Sequence, residues 1–209
     1  ENSGYIHKVT LNNHYGLWDK PNMALASVRL DLEGSDKLTG QTIRIGSLTS
    51  GNTNHLKLNN SDIALYAPGP VAAIDEKIKI VGLTNSSSLT IHGITEESRG
   101  KTGKAHLTAA VYVEDGSKLN FSGSVLTFEN ALIVNEGETN FKELSNTELH
   151  ASLYQTAGKL DVGAGAEVLS DKSVEVTGGG MNVAGVLTSN TLVVQNAEAN
   201  VAGSLKTGT

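Results

Sequence analysis

Short apolar runs recur along this chain, each closed by a polar or glycine-containing break, and in the second half they keep a fixed order. The first run of each unit is apolar–Asn–apolar followed by small residues. It reads Leu119-Asn120-Phe121-Ser122-Gly123, then in weaker form Thr139-Asn140-Phe141, then Leu160-Asp161-Val162-Gly163-Ala164. It returns as Met181-Asn182-Val183-Ala184-Gly185 and Ala199-Asn200-Val201-Ala202-Gly203. First positions 119, 139, 160, 181 and 199 give steps of 20, 21, 21 and 18 residues. A shorter apolar segment follows in each unit: Val125-Leu126, Leu144, Val168-Leu169, Val186-Leu187 and Leu205. A longer third run starts at Val111, Leu132, Leu153, Val174 and Leu192 and ends in a polar or glycine turn.

Three short strands per unit predict a triangular coil. One coil cannot cover its own apolar face. Stacked coils cover each other and pair their backbones at about 4.8 Å per layer. The expected fold is therefore all-β, a right-handed parallel β-helix with three-strand coils of about 18–21 residues. The hand follows the general preference of parallel crossovers. The competing arrangement is an antiparallel sandwich with a strand every 8–12 residues or so. Near-equal steps in register favour the solenoid.

Residues 111–209 hold the regular repeats, and 1–110 read as irregular coils of the same stack with excursion loops. Strand-like runs there cover 6–11, 28–32, 42–45, 56–58, 78–81 and 89–91, several with period-two alternation. One predicted loop opens on Ala67-Pro68-Gly69-Pro70 and runs to Asp75. The other, 95–104, is too polar to bury and includes Glu96, Glu97, Arg99, Lys101 and Lys104 as candidate binding residues. A third irregular stretch spans 14–22, with Trp18 and Pro21. The last unit stops after Leu205 without its third strand, so the chain reads as a fragment of a longer protein. Its start at Glu1 fits a removed leader or an excised segment.

Composition sharpens this picture. Among 209 residues, 23 are Gly, 3 are Pro and only 4% are aromatic, as many short strands and tight turns require. Net charge is −6, which disfavours nucleic acid and membrane as partners. Cysteine is absent, so neither a disulfide framework nor a thiol site exists. No apolar run reaches membrane-spanning length.

Chemistry-bearing patterns are sparse. The sequence has no Gly-x-Ser-x-Gly elbow, no phosphate loop and no His-x-x-x-His pair. No catalytic residue, metal site or cofactor is expected, and the chain is not expected to be an enzyme. Gly178-Gly179-Gly180 reads as a coil corner that needs positive φ. Acidic turns at Glu114-Asp115 and Glu136 with Glu138, together with Asp161, leave open a cation-assisted, polysaccharide-active site. A solvated turn edge is the simpler account, and no Arg follows Arg99 to serve as a base.

The apolar–Asn–apolar run has a further consequence. Side chains alternate faces along a strand. With Leu119 and Phe121 inward, Asn120 points outward, and so do Asn140, Asp161, Asn182 and Asn200. Stacking sets these five in one outer column. Stacked amides hydrogen-bond along such a column. The column either stabilises stacking alone or offers a repetitive polar face for many weak contacts.

The units, with Leu119-Asn120-Phe121-Ser122-Gly123, Met181-Asn182-Val183-Ala184-Gly185 and the Gly178-Gly179-Gly180 corner, resemble the passenger domains of Gram-negative autotransporters. The resemblance covers 78–209 well and the earlier part loosely. It implies a type V secreted protein displayed outside the cell and anchored in the outer membrane through a C-terminal barrel, or released. It also implies adhesion to a host glycan or protein, or self-association in aggregation and biofilm. The protease members' Gly-Asp-Ser-Gly motif does not occur. A structural stalk carrying a separate functional domain is the alternative.

Overall fold

The computed structural model describes 5–6, 9–11, 27–29, 43–45, 48–50, 55–59, 62–68, 72–74, 76, 78–94, 103–127 and 131–208. Every statement below concerns these residues. They form an all-β structure without helix. Strands pair in parallel throughout, and one 20-stranded sheet wraps into a β-solenoid. The solenoid makes about five turns.

Each turn has three faces. The first is built from Asp62–Pro68, Ser88–Ile94, the first half of Lys118–Thr127, Glu138–Phe141, Lys159–Val162, Gly180–Val183 and Glu198–Val201. The second stacks Ala105–Leu107, residues 124–127, Asn146–Leu149, residues 167–170 and 186–189, and Ser204–Thr207. The third runs from His55–Asn59 through Ile80–Thr84, Ala110–Val113, Leu132–Asn135 and Ser152–Gln155 to residues 173–176 and 191–194. The stack is continuous across residue 110, where the irregular and regular coils meet. Upstream, Val9–Leu11 and Leu48–Ser50 pair as a separate two-stranded piece.

The core follows from alternation. Phe121, Phe141, Val162 and Val183 lie in register on the first face and are fully buried. The Phe121 and Phe141 rings stack with centroids 5.1 Å apart and planes at 12°. One coil supplies each ring, so the layer spacing sets their distance. Val111, Ile133, Leu153 and Val174 make the matching inward column of the third face.

Three expectations need correction. Leu144 is not the inward residue of the second segment in its coil. It is 82% exposed in a corner with φ +58°, and Thr147 takes the place between Val125 and Val168. The third run beginning at Leu132 is offset by one residue, because Ile133 pairs with Leu153. A one-residue slip exchanges faces, so Leu132 lies outward and half-buried. The stretch 67–75 is not wholly a loop. Ala72 bridges His106, the Ala73 amide donates to the His106 carbonyl at 2.9 Å, and Ala73 and Ile74 are fully buried. This segment is an irregular second face of an early coil. The other predicted loop lies mostly at 95–102, and the third irregular stretch at 14–22, both outside the described residues.

Candidate functional site

The outer column forms as the alternation requires. Asn120, Asn140, Asp161, Asn182 and Asn200 are consecutive register partners, with Thr90 preceding them. Their hydrogen bonds point in one direction along the stack. Asn140 Nδ2 donates to Asn120 Oδ1 at 3.0 Å. Asn120 Nδ2 donates onward to Thr90 Oγ1 at 3.2 Å and Ser88 Oγ at 3.3 Å. Asn182 Nδ2 donates to Asp161 Oδ1 at 2.8 Å.

Asp161 interrupts this ladder. Continuing it needs a donor facing Asn140, and an ionised carboxylate has none. Two short ladders result, one ending at Asn140 and one starting at Asp161. The first is shielded: Asn120 is 5% and Asn140 9% exposed. Asp161 and Asn182 are half-buried, and Asn200 is exposed. The five residues therefore share one line but differ in access. Only the later three are open enough to meet a partner from solvent.

Asp161 also takes charge from its surroundings. Lys159 Nζ lies 3.1 Å from its Oδ1. Burial alone would raise its pKa. The hydrogen bonds from Asn182 and Lys159, with the charges of Lys159 and Lys142, outweigh burial and hold it below the ordinary carboxylate value. A depressed carboxylate stabilises the fold above its unfolded pKa of about 3.9, and that stability is lost as pH falls through the folded value. We expect the thermal midpoint of the native chain to fall relative to Asp161→Asn as pH drops below about 4. A midpoint difference that stays constant from pH 7 to pH 2 would refute the role given to this carboxylate.

The acidic turns hold separate contacts rather than a common site. Glu114 Oε2 accepts the Asn85 amide at 2.9 Å. Glu136 Oε2 accepts the Tyr112 hydroxyl at 2.5 Å, and this bond raises the Tyr112 pKa, followed by burial and the charges of Glu136 and Glu114. Glu138 pairs with Lys118 at 2.9 Å. Among the described residues, no three His, Asp or Glu side chains converge in a way that could hold a metal ion.

Of the candidate loop residues, Glu96, Glu97, Arg99 and Lys101 lie outside the described residues. Lys104 pairs with Glu148 on the second face and donates to Asn146 Oδ1 at 3.4 Å. It belongs to the wall of the solenoid.

Two amides that the sequence reading left in a turn point into the core. Asn135 and Gln155 are fully buried and in register. Asn135 Nδ2 donates to Gln155 Oε1 and to the Lys159 carbonyl, both at 3.0 Å. Gln155 Nε2 donates to the Gly178 and Gly180 carbonyls at 3.0 and 2.8 Å. They pin each coil corner to the coil that follows. The signal was present as an amide closing the third runs that start at Leu132 and Leu153, but it resembled turn chemistry.

The class defined by these features is a parallel β-solenoid with a polar ladder on one outer face. No protein-family model, curated protein or solved structure matches the chain.

Proposed function

We propose that this chain is a segment of a bacterial surface adhesin, of the autotransporter passenger type, displayed outside the cell or released from it. It attaches the cell to a host glycan or protein, or to a second copy of itself, through the outside of the solenoid. The observation that carries this reading is the register of Asp161, Asn182 and Asn200 on one accessible line. A repeated polar face supplies many contacts of about a kcal/mol or less each, and their number sets the affinity.

The shielded half of the ladder guides the test. Lys at position 120 or 140 would be forced into a shielded site, so the informative substitutions are the more open Asn182→Lys, which gives up one bond to Asp161, and Asn200→Lys. Cells displaying the full-length protein should clump or adhere, and the double variant should lose most of that while keeping its surface level. Display without any gain in clumping or attachment would sink the reading. Full adhesion by the double variant would remove the ladder from it.

A stalk that carries another functional domain is the second reading, favoured by column side chains that bond to their neighbours within the stack. In a stalk, deleting one register-to-register coil, residues 140–160, leaves the parent activity intact. Loss of activity on that deletion counts against it.

A further inference from the structure

From residue 110 onward the third face differs from the other two in charge and in aromatic content. Its outward column there is Tyr112, Val134, Tyr154, Glu175 and Val193 in consecutive register, with Gly82 and then Lys57 ahead of Tyr112 in the same line. Tyr112 is 38% and Tyr154 37% exposed, with half-buried Val134 between them. The turn beside this column holds Glu114, Asp115 and Glu136. Across 110–116, 131–137, 151–157, 173–178 and 191–196 there is no Lys, Arg or His. Lys79, Lys172 and His150 lie just ahead of third-face strands, and His150 is paired with Asp171 at 2.7 Å. The first face, by contrast, mixes Lys118, Glu138, Lys159 and Asp161, and the second mixes Lys104, Glu148 and Lys206.

Exposed phenol rings on a stretch whose charged side chains are all acidic suit cations. Each ring attracts an ammonium or guanidinium through its π face, and the carboxylates add a long-range field. The rings are two layers apart, about 9.6 Å at the usual strand spacing. An extended polyproline II segment repeats its orientation every three residues, about 9.3 Å. Basic side chains at every third position therefore meet both rings in one register.

We propose that the third face binds an extended, positively charged polypeptide, with Lys or Arg side chains over Tyr112 and Tyr154 and flanked by Glu136 and Glu175. This surface is separate from the amide ladder, and the proposal holds whether or not the ladder mediates adhesion.

The test is a fluorescence anisotropy titration of the purified chain with a labelled (Lys-Pro-Pro)4 peptide at low salt, beside (Ser-Pro-Pro)4 and (Glu-Pro-Pro)4. The basic peptide should bind, and the other two should not. Tyr112→Ser with Tyr154→Ser should weaken binding about tenfold. Tyr112→Phe with Tyr154→Phe keeps both rings and should bind within about twofold of the parent. Glu136→Gln with Glu175→Gln should weaken binding more than Glu167→Gln with Glu198→Gln, which removes equal charge from the other faces. Circular dichroism melts of every variant monitor the fold. Three results would overturn the proposal. They are equal affinity in the Tyr→Ser pair, equal losses in the two Glu pairs, and absence of binding by the basic peptide. Binding of cellohexaose at these tyrosines without peptide binding would also overturn it, assigning the face to a neutral glycan.

Discussion

Val183→Asp should unravel the C-terminal coils and leave the earlier coils intact. Val183 is fully buried, with Val162 before it and Val201 after it in the first-face column. A carboxylate there has no partner. An uncompensated buried charge costs about 3–5 kcal/mol. In a solenoid each coil contacts only its neighbours, so the loss stays local instead of unfolding the whole chain. Limited proteolysis with mass mapping should show new cleavage after about residue 163 and continued protection of 105–141. Unchanged resistance across 163–208 would show that Val183 does not face the core.

Gly158→Ala should be nearly as damaging for a different reason. Gly158 has φ +68°, and a Cβ built on it would lie 1.8 Å from the Gly137 carbonyl oxygen. The backbone conformation alone costs an L-residue about 1–2 kcal/mol. The contact adds to this, because the obstacle is backbone of the neighbouring coil and cannot rotate aside. Gly179, one coil later with φ +72°, meets the Gly158 carbonyl at 2.2 Å in the same way. Gly82 is the comparison: its added Cβ meets nothing within 4 Å. Thermal melts should show a clear drop for Gly158→Ala and little change for Gly82→Ala. Equal midpoints in the two variants would contradict this account of the corner.

Legibility followed periodicity. The apolar–x–apolar triplets centred on Asn120, Asn140, Asp161, Asn182 and Asn200 could be read from sequence, because the period-two rule makes both flanks inward and the centre outward. The Gly178-Gly179-Gly180 corner was legible for a similar reason, since a tight stacked corner leaves few alternatives. The second face was not. Its inward positions include Thr127, Thr147, Ser170 and Ser189, which look like surface residues. In the coil containing Leu144, that leucine sits in a corner, whereas Thr147 and Leu149 fill the core positions. Apolar content was thus a poor guide where small hydroxyl side chains pack inward. The run at Leu132 failed differently. Three consecutive apolar residues do not indicate which parity is buried, and only the pairing with Leu153 decides it.

By itself, the sequence determined the all-β class, the parallel stacking, the coil length and the first-face column, because these are local periodicities repeated at fixed steps. The tertiary structure decided which column members remain accessible. Asn120 and Asn140 are withdrawn by hydrogen bonds that run between coils, and Asp161 breaks the ladder because a carboxylate cannot donate. It also decided that Tyr112 and Tyr154, 42 positions apart, lie two layers from each other on a stretch of the third face whose strands carry no basic residue. That juxtaposition depends on the register between coils, which strand spacing along one chain does not specify.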